Sequence, residues 1–414
     1  MIHPAIDPAA PVAAPAADMP ALPAQGLRSW LLRRLCERLA FGSLTVVTPE
    51  GGQIVQRTGV PGPEAVLVMH RWRALSRLLL GGDIGAGESY MNGDWSSPDL
   101  TALIELAALN DAAIAAAIDG ALPVRLFNRM RHAMRANTPS GSRRNIVRHY
   151  DLGNAFYARW LDRSMTYSAA LYRDDGMTLE AAQAAKQQRI IELLDVEPSH
   201  DVLEIGFGWG GLVGRLAALG CRVTGLTLSP AQHGHAQAQL AAAGLADRTD
   251  LRLEDYRRTG GFFDRIVSIE MLEAVGEAYW PRYFEALRAR LRPGGVAVLQ
   301  VITIADERFE SYRRAGDFVQ RYIFPGGMLP SPAAMRAQIA RAGLALEAVE
   351  TFGTSYARTL REWHGRFLAA WPEIAEMGFS PRFRRMWEYY LCYCEAGFRA
   401  GTIDVGLWRL AHAR

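Results

Sequence analysis

The chain has 414 residues, half of them hydrophobic and 21% charged, enough to bury substantial cores and most naturally divided into two domains. A formal charge of +3 is too small at this length to mark a nucleic-acid-binding protein, and no apolar run reaches the ~18 residues that span a bilayer. The four cysteines, Cys36, Cys221, Cys392 and Cys394, have neither the paired spacing of a zinc site nor the density of a disulfide scaffold, so a reducing cytoplasm and no metal are expected.

Residues 1–26 are mostly Ala and Pro, lack the basic start and compact apolar stretch of a signal peptide, and are read as a disordered tail. From Gly26 to about Ala40 the pattern is helical. A hairpin follows, in which Leu44-Thr-Val-Val and Gln53-Ile-Val flank Pro49-Glu-Gly-Gly. Val66 to Met69 predicts a further strand. Ala74 to Leu80 and Leu100 to Ala117 predict helices on either side of a glycine-rich loop from Gly81 to Gly93. This smaller α+β domain is closed at residues 27–120. Between Arg125 and Arg148 there are seven arginines and no acid, with Leu126, Met130 and Met134 four residues apart. That is a basic amphipathic helix in a linker at 121–145. It either packs its apolar stripe on a neighbour or docks on an anionic membrane surface.

From about Ser199 strands and helices alternate. Strands are predicted at Val202–Ile205, Arg222–Leu228, Thr249–Leu253, Phe263–Ile269 and Val296–Ile302. Helices are predicted at Leu212–Leu219, Pro230–Ala243 and Pro281–Leu291, the last closed by Arg292-Pro-Gly-Gly. The spacing describes an α/β fold with an open, mostly parallel, doubly wound Rossmann-like sheet, whose ligands sit beyond the carboxyl ends of its strands.

Glu204-Ile-Gly-Phe-Gly-Trp-Gly-Gly follows the first of these strands and opens a helix, where clustered glycines admit a ligand to the backbone. The glycines are closer together than in a dinucleotide site, and no Gly-Lys-Ser/Thr follows to make a phosphate loop. Glu204 is placed to meet the ammonium of a methionine moiety. The second strand ends without the acid that commonly binds a ribose, and Gln232, just beyond Thr227, can take that place. Glu254-Asp255-Tyr256 sets a carboxylate and a ring where an adenine could be bonded and stacked. Together these residues favour an adenosyl ligand.

On these residues the chain resembles the cyclopropane-fatty-acyl-phospholipid synthase family over roughly residues 27 to 414. The carriers are RHYDLGNAFYARWLDRSMTYSAALY (148–172), VLEIGFGWGG (202–211), SIEMLEAVG (268–276), YIFPGGMLPS (322–331) and MWEYYLCYCEAGFR (386–399). The resemblance implies a lipid-handling first domain and a class I methyltransferase domain with helical lid insertions over 146–414. It implies transfer of the methyl carbon of S-adenosylmethionine to the cis double bond of an unsaturated acyl chain in a membrane phospholipid. The products would be S-adenosylhomocysteine and, by way of a carbocation, a cyclopropane. It further implies peripheral association with the inner leaflet of the cell membrane and a homodimer.

Carried over by position, Tyr167 and Ser168 border the amino-acid end of the cofactor and Gly206 and Gly208 hold its backbone. Thr227 and Gln232 face the ribose, with Leu228 beside them, and Asp255 and Tyr256 face the adenine. In the family a bound bicarbonate serves as base. Its pocket maps onto Ala169, Glu273, Gln300, Ile302 and Tyr356, with Ala169 where the best-known bacterial pattern has cysteine and Gln300 where it has histidine. Glu270, on the same segment, is assigned only an orienting role from behind. His149 is left between substrate contact and helix cap, Tyr322 and Phe324-Pro-Gly-Gly are expected along an acyl tunnel, and Trp387, Tyr389 and Tyr390 are read as core. The departures at Ala169 and Gln300 keep two alternatives open. One is a methylene- or methyl-branched product from the same cation; the other is a non-catalytic lipid-binding or regulatory protein.

Overall fold

The computed structural model describes residues 26–114 and 152–413. The expectations placed on the tail before Gly26, the boundary near residue 120, the basic helix from Arg125 to Arg148 and His149-Tyr150-Asp151 lie outside the described residues. The chain forms two compact units. One takes 26–114 together with Trp371–Ala400; the other takes 152–370 and resumes at Gly401. The expected catalytic domain over 146–414 is therefore interrupted near its end.

The first unit is built on a four-stranded sheet ordered β2-β1-β3-β4. Strands β1 (Ser43–Val47) and β2 (Gln53–Arg57) form the predicted antiparallel hairpin, and β3 (Glu64–Met69) lies parallel to β1. The two-residue β4 (Trp95–Ser96) closes the edge. The segment expected as a glycine-rich loop is instead helical. Arg73–Met91 holds two helical stretches joined by a kink at the non-helical Gly82, whose φ of 58° only glycine adopts without strain, so the predicted helix does break there and a second one follows it. The kink folds the helix closely on itself, because a Cβ at Gly85 would lie 2.1 Å from the Arg77 carbonyl oxygen. The helix Pro381–Arg399 packs on Arg73–Met91 and on Leu100–Leu109. Its Tyr389 ring meets Tyr90 and Trp95 at 5.6 and 6.4 Å. Trp387, Tyr389 and Tyr390 are buried, as their core reading required.

The second unit is a seven-stranded sheet ordered β10-β11-β9-β8-β5-β6-β7. Its strands are β5 (Asp201–Ile205), β6 (Arg222–Thr227), β7 (Thr249–Leu253), β8 (Phe263–Ile269), β9 (Leu291–Ile304), β10 (Leu344–Thr351) and β11 (Ile403–His412). The run from β9 to β7 is parallel, whereas β11 is antiparallel to both β9 and β10. Val202, Leu203, Ile266, Val267, Val298 and Leu299 are almost wholly buried, which explains why these strands read as continuous apolar runs. Arg292-Pro-Gly-Gly does not end the preceding helix, which already stops at Arg290; it opens β9 opposite a register shift between Phe263 and Arg265. Each crossover helix starts on a local signal, as in Ser229-Pro230, where the Ser229 side chain accepts the Gln232 N–H and proline occupies the first turn.

Candidate active site

The carboxyl ends of β5, β6 and β8 open into a cavity of about 380 Å³. Its lining includes Tyr167, Ser168, Glu204, Gly206, Gly208, Thr227, Leu228, Gln232, Asp255 and Tyr256, so the predicted cofactor residues converge on one space. Gly206, Gly208 and Gly210 take φ of 85°, 56° and 90°, turning the chain away from β5 and into the helix Gly211–Ala218. No atom lies within 4 Å of where a Cβ of Gly208 would stand, so a ligand can approach the bare backbone. Of the residues expected to face the ribose, the Thr227 hydroxyl donates to Gln232 Oε1 at 3.0 Å. Of those expected to face the adenine, the Tyr256 ring is held edge-on by Tyr283 at 5.5 Å, and the Asp255 carboxylate accepts from Arg257 Nε at 2.9 Å.

Glu204 is buried, and its Oε2 has no hydrogen-bond partner. Burial pushes its carboxyl up to about 8, opposed by the Lys186 ammonium. An orphaned carboxylate oxygen on the wall of a cavity with a bare glycine turn fits the amino-acid end of S-adenosylmethionine, whose ammonium would supply the missing partner.

Lys186 was not singled out in the sequence. It lies on the helix Leu179–Leu194, is fully buried, and donates to Ser168 Oγ at 2.7 Å; Gln183 Nε2 from the same helix donates to the Ser168 carbonyl at 2.8 Å. Burial lowers the Lys186 pKa to about 8, opposed by Glu270, Asp162 and Glu204. A lysine in register with the apolar Leu179, Ala182, Ile190 and Leu193 of that helix was the available signal. Tyr167 is boxed from behind by Tyr157, Trp160 and Trp363 at 5.3, 5.6 and 5.3 Å, and on the cavity wall it is joined by Phe207, Trp209, Tyr256 and Tyr279, rings whose faces suit positive charge.

The second predicted constellation also comes together, around a different centre. Glu270 follows the end of β8 and lines the cavity. Its Oε1 accepts from the Ala169 N–H at 2.8 Å and from Gln300 Nε2 at 2.6 Å, and its Oε2 accepts from the Tyr356 hydroxyl at 2.7 Å. Glu273 Oε1 accepts from the Ile302 N–H at 2.6 Å, while its Oε2 is buried without a partner. Burial and the neighbouring Glu270 push the Glu273 carboxyl up to about 8. The donors expected to hold bicarbonate at Ala169, Gln300, Ile302 and Tyr356 are thus already bonded to carboxylates of this chain. A second anion would have to displace them and sit against the Glu270 and Glu273 carboxyl groups. These residues do not fit bicarbonate, and the orienting role from behind assigned to Glu270 is corrected to a central one. The Phe324-Pro-Gly-Gly turn touches the site through the Met328 N–H, which donates to the Glu273 carbonyl at 2.7 Å.

The profile of a family described as mycolic acid cyclopropane synthetase matches residues 138–408. The chain is 40% identical over 401 residues to the tuberculostearic acid methyltransferase of Mycobacterium tuberculosis, covering 92% of this chain and 90% of that protein. It is 37% identical over 343 residues to the cyclopropane-fatty-acyl-phospholipid synthase of Escherichia coli, covering 82% and 85%. A crystal structure of a mycolic acid cyclopropane synthase complexed with SAH and CTAB aligns with a TM-score of 0.61 at 29% identity, over 65% of this chain and 97% of that one. The structure of a cyclopropane synthase from Mycobacterium tuberculosis aligns with a TM-score of 0.61 at 31% identity, over 65% and 98%. With the cavity they share a class I methyltransferase fold, and the chain is an S-adenosylmethionine-dependent methyltransferase acting on fatty acyl chains, a member of the mycolic acid cyclopropane synthetase family.

Proposed function

We propose that the enzyme transfers the methyl carbon of S-adenosylmethionine to the cis double bond of an unsaturated acyl chain in a membrane phospholipid and closes a cyclopropane ring. When bound, S-adenosylmethionine supplies an electrophilic methyl group on a sulfonium. The carrying observation is that one cavity holds both the cofactor residues and the Glu270 carboxylate, with the Tyr167 ring on its wall. An alkene is a weak nucleophile whose methylation leaves a carbocation, so the site must tolerate positive charge and remove a proton. Tyr167 and the surrounding rings offer the first, and Glu204 and the glycine turn orient the donor. The exclusion of water by the buried walls protects the cation from hydration.

A methylene- or methyl-branched product is the second reading. It is supported by the 40% identity to a relative named as a methyltransferase, and by Ala169 and Gln300 in the base site.

Reaching a phospholipid calls for peripheral docking on the cytoplasmic face of an anionic membrane. Among the described residues no helix is long and apolar enough to cross a membrane. The helix Leu27–Cys36 exposes Leu27, Trp30 and Leu31 beside Arg28, Arg33 and Arg34, the mixture an interfacial helix uses.

The test is mass spectrometry of unsaturated phosphatidylglycerol vesicles after incubation with enzyme and methyl-deuterated S-adenosylmethionine. We expect acyl chains heavier by one labelled methylene unit, with a deuterium lost to ring closure. Unchanged chains would refute the substrate; full retention of the methyl deuteriums would move the product to the methyl-branched reading, and vinylidene in place of cyclopropyl deuterium signals by NMR would move it to the methylene-branched one.

A further inference from the structure

We infer that Glu270 is the catalytic base, an anion built into the chain that makes the enzyme independent of bicarbonate. The inference rests on the alkene-methylation reading and names the group that completes it.

Three observations carry it. First, the geometry is that of an anion site with its anion in place. The Ala169 N–H, the Gln300 amide and the Tyr356 hydroxyl come from separate parts of the chain and converge on one carboxylate at 2.6–2.8 Å. Burial raises the Glu270 pKa above the ordinary carboxylate value, the direction a proton acceptor needs, while the three donors and the Lys186 ammonium oppose it in favour of the ionised form. Second, Glu270 pays a conformational cost to be there. Its φ is 48°, in the left-handed region that favours glycine, and a non-glycine residue is held there only where its surroundings over-determine it. The backbone is pinned by the Glu270 N–H donating to the Gln300 carbonyl at 2.8 Å, so the strained residue is fastened to β9 at both main chain and side chain. Third, Glu270 lines the cofactor cavity, whereas Glu273, which lies one helical turn on, does not.

The chemistry balances without another reagent. The alkene's electron pair forms the new carbon–carbon bond as the carbon–sulfur bond breaks, releasing S-adenosylhomocysteine and leaving the positive charge on an acyl carbon. A carbon–hydrogen bond beside that centre then breaks. Its electron pair closes the ring, or a double bond in the second reading, and its proton passes to Glu270. The neutral carboxylic acid returns the proton to water as the product leaves.

The test uses the full-length enzyme saturated with S-adenosylhomocysteine and titrated against carbon-13-labelled bicarbonate, followed by NMR. We expect no bound bicarbonate in the wild type and binding in Glu270→Gly, which empties the site with the residue its φ favours. In the second arm, wild-type turnover on unsaturated phosphatidylglycerol vesicles is the same in carbon-dioxide-free buffer as with bicarbonate. There Glu270→Gly falls by about 10²–10⁴-fold, the usual contribution of a general base, and bicarbonate restores part of the loss. Glu270→Gln, nearly isosteric, repeats the rate measurement where glycine loosens the turn, and retained S-adenosylhomocysteine affinity certifies the fold of each variant. Bicarbonate bound by the wild type, wild-type turnover that collapses when carbon dioxide is removed, or full activity in both variants would overturn the assignment. A wild type that turns over no vesicle lipid would refute the substrate reading instead, with the bicarbonate titration still deciding whether Glu270 fills the anion site.

Discussion

At Glu204 the cost of a buried carboxyl and the gain from a ligand meet in one side chain. With its Oε2 unpartnered and its pKa raised to about 8 by burial, the group is neutral in the ligand-free enzyme at pH 6. The ammonium of S-adenosylhomocysteine pairs with the ionised form, so binding releases a proton. Affinity should therefore rise with pH from 6 toward 8, by at most about tenfold per unit, and level off above. Calorimetry in buffers of different ionisation enthalpy measures that proton. Glu204→Gln should weaken binding by about 10–100-fold, the worth of a hydrogen bond to a charged group, and flatten the pH dependence. The cofactor residues were legible because the glycine turn, the strand ends and their spacing are local. Lys186 and the centrality of Glu270 were not. The burial of a lysine and the convergence of Ala169, Gln300 and Tyr356 on one carboxylate are decided by contacts between distant segments.

Among the elements, the turn from β5 into Gly211–Ala218 has little freedom. Gly210 combines a φ of 90° with a close neighbour, since a Cβ there would stand 2.9 Å from the Ala236 Cβ. Gly210→Ala should cost about 2–5 kcal/mol, from the left-handed conformation and from overpacking against the helix Pro230–Ala242, read out by urea unfolding. Most elements of the sheet were legible from their apolar runs and caps. The misreadings have a common physical cause. Glycines and prolines weighed as chain breakers at Gly81–Gly93 and at Arg292-Pro-Gly-Gly, yet the chain breaks only at Gly82 in the first and resumes as helix to Met91, and a strand runs through the second.

Across the whole molecule, sequence order and spatial grouping part company at Trp371–Ala400. Chain continuity assigned that segment to the catalytic domain, and nothing local to it says that Thr101 Oγ1 will donate to Glu395 at 3.1 Å. The division predicts separable energetics. Trp387 is 1% exposed, and Trp387→Ala should cost about 3–5 kcal/mol of first-unit stability. Affinity for S-adenosylhomocysteine should stay unchanged, because among the described residues the cavity is lined from the second unit alone. Thermal unfolding with and without S-adenosylhomocysteine separates the two effects.

Strand β11 lies between β9 and β10, and it is made only after the helix Pro381–Arg399. During synthesis, then, β10 has no neighbour in the sheet until the ribosome has passed His412. While the hundred or so residues from the end of β9 to the end of β11 are made, the growing chain carries a catalytic sheet with an open edge at β9, a template for pairing with other nascent chains. Slow translation through that stretch would lengthen the exposure, and the yield of soluble enzyme should depend on codon choice there more than anywhere upstream.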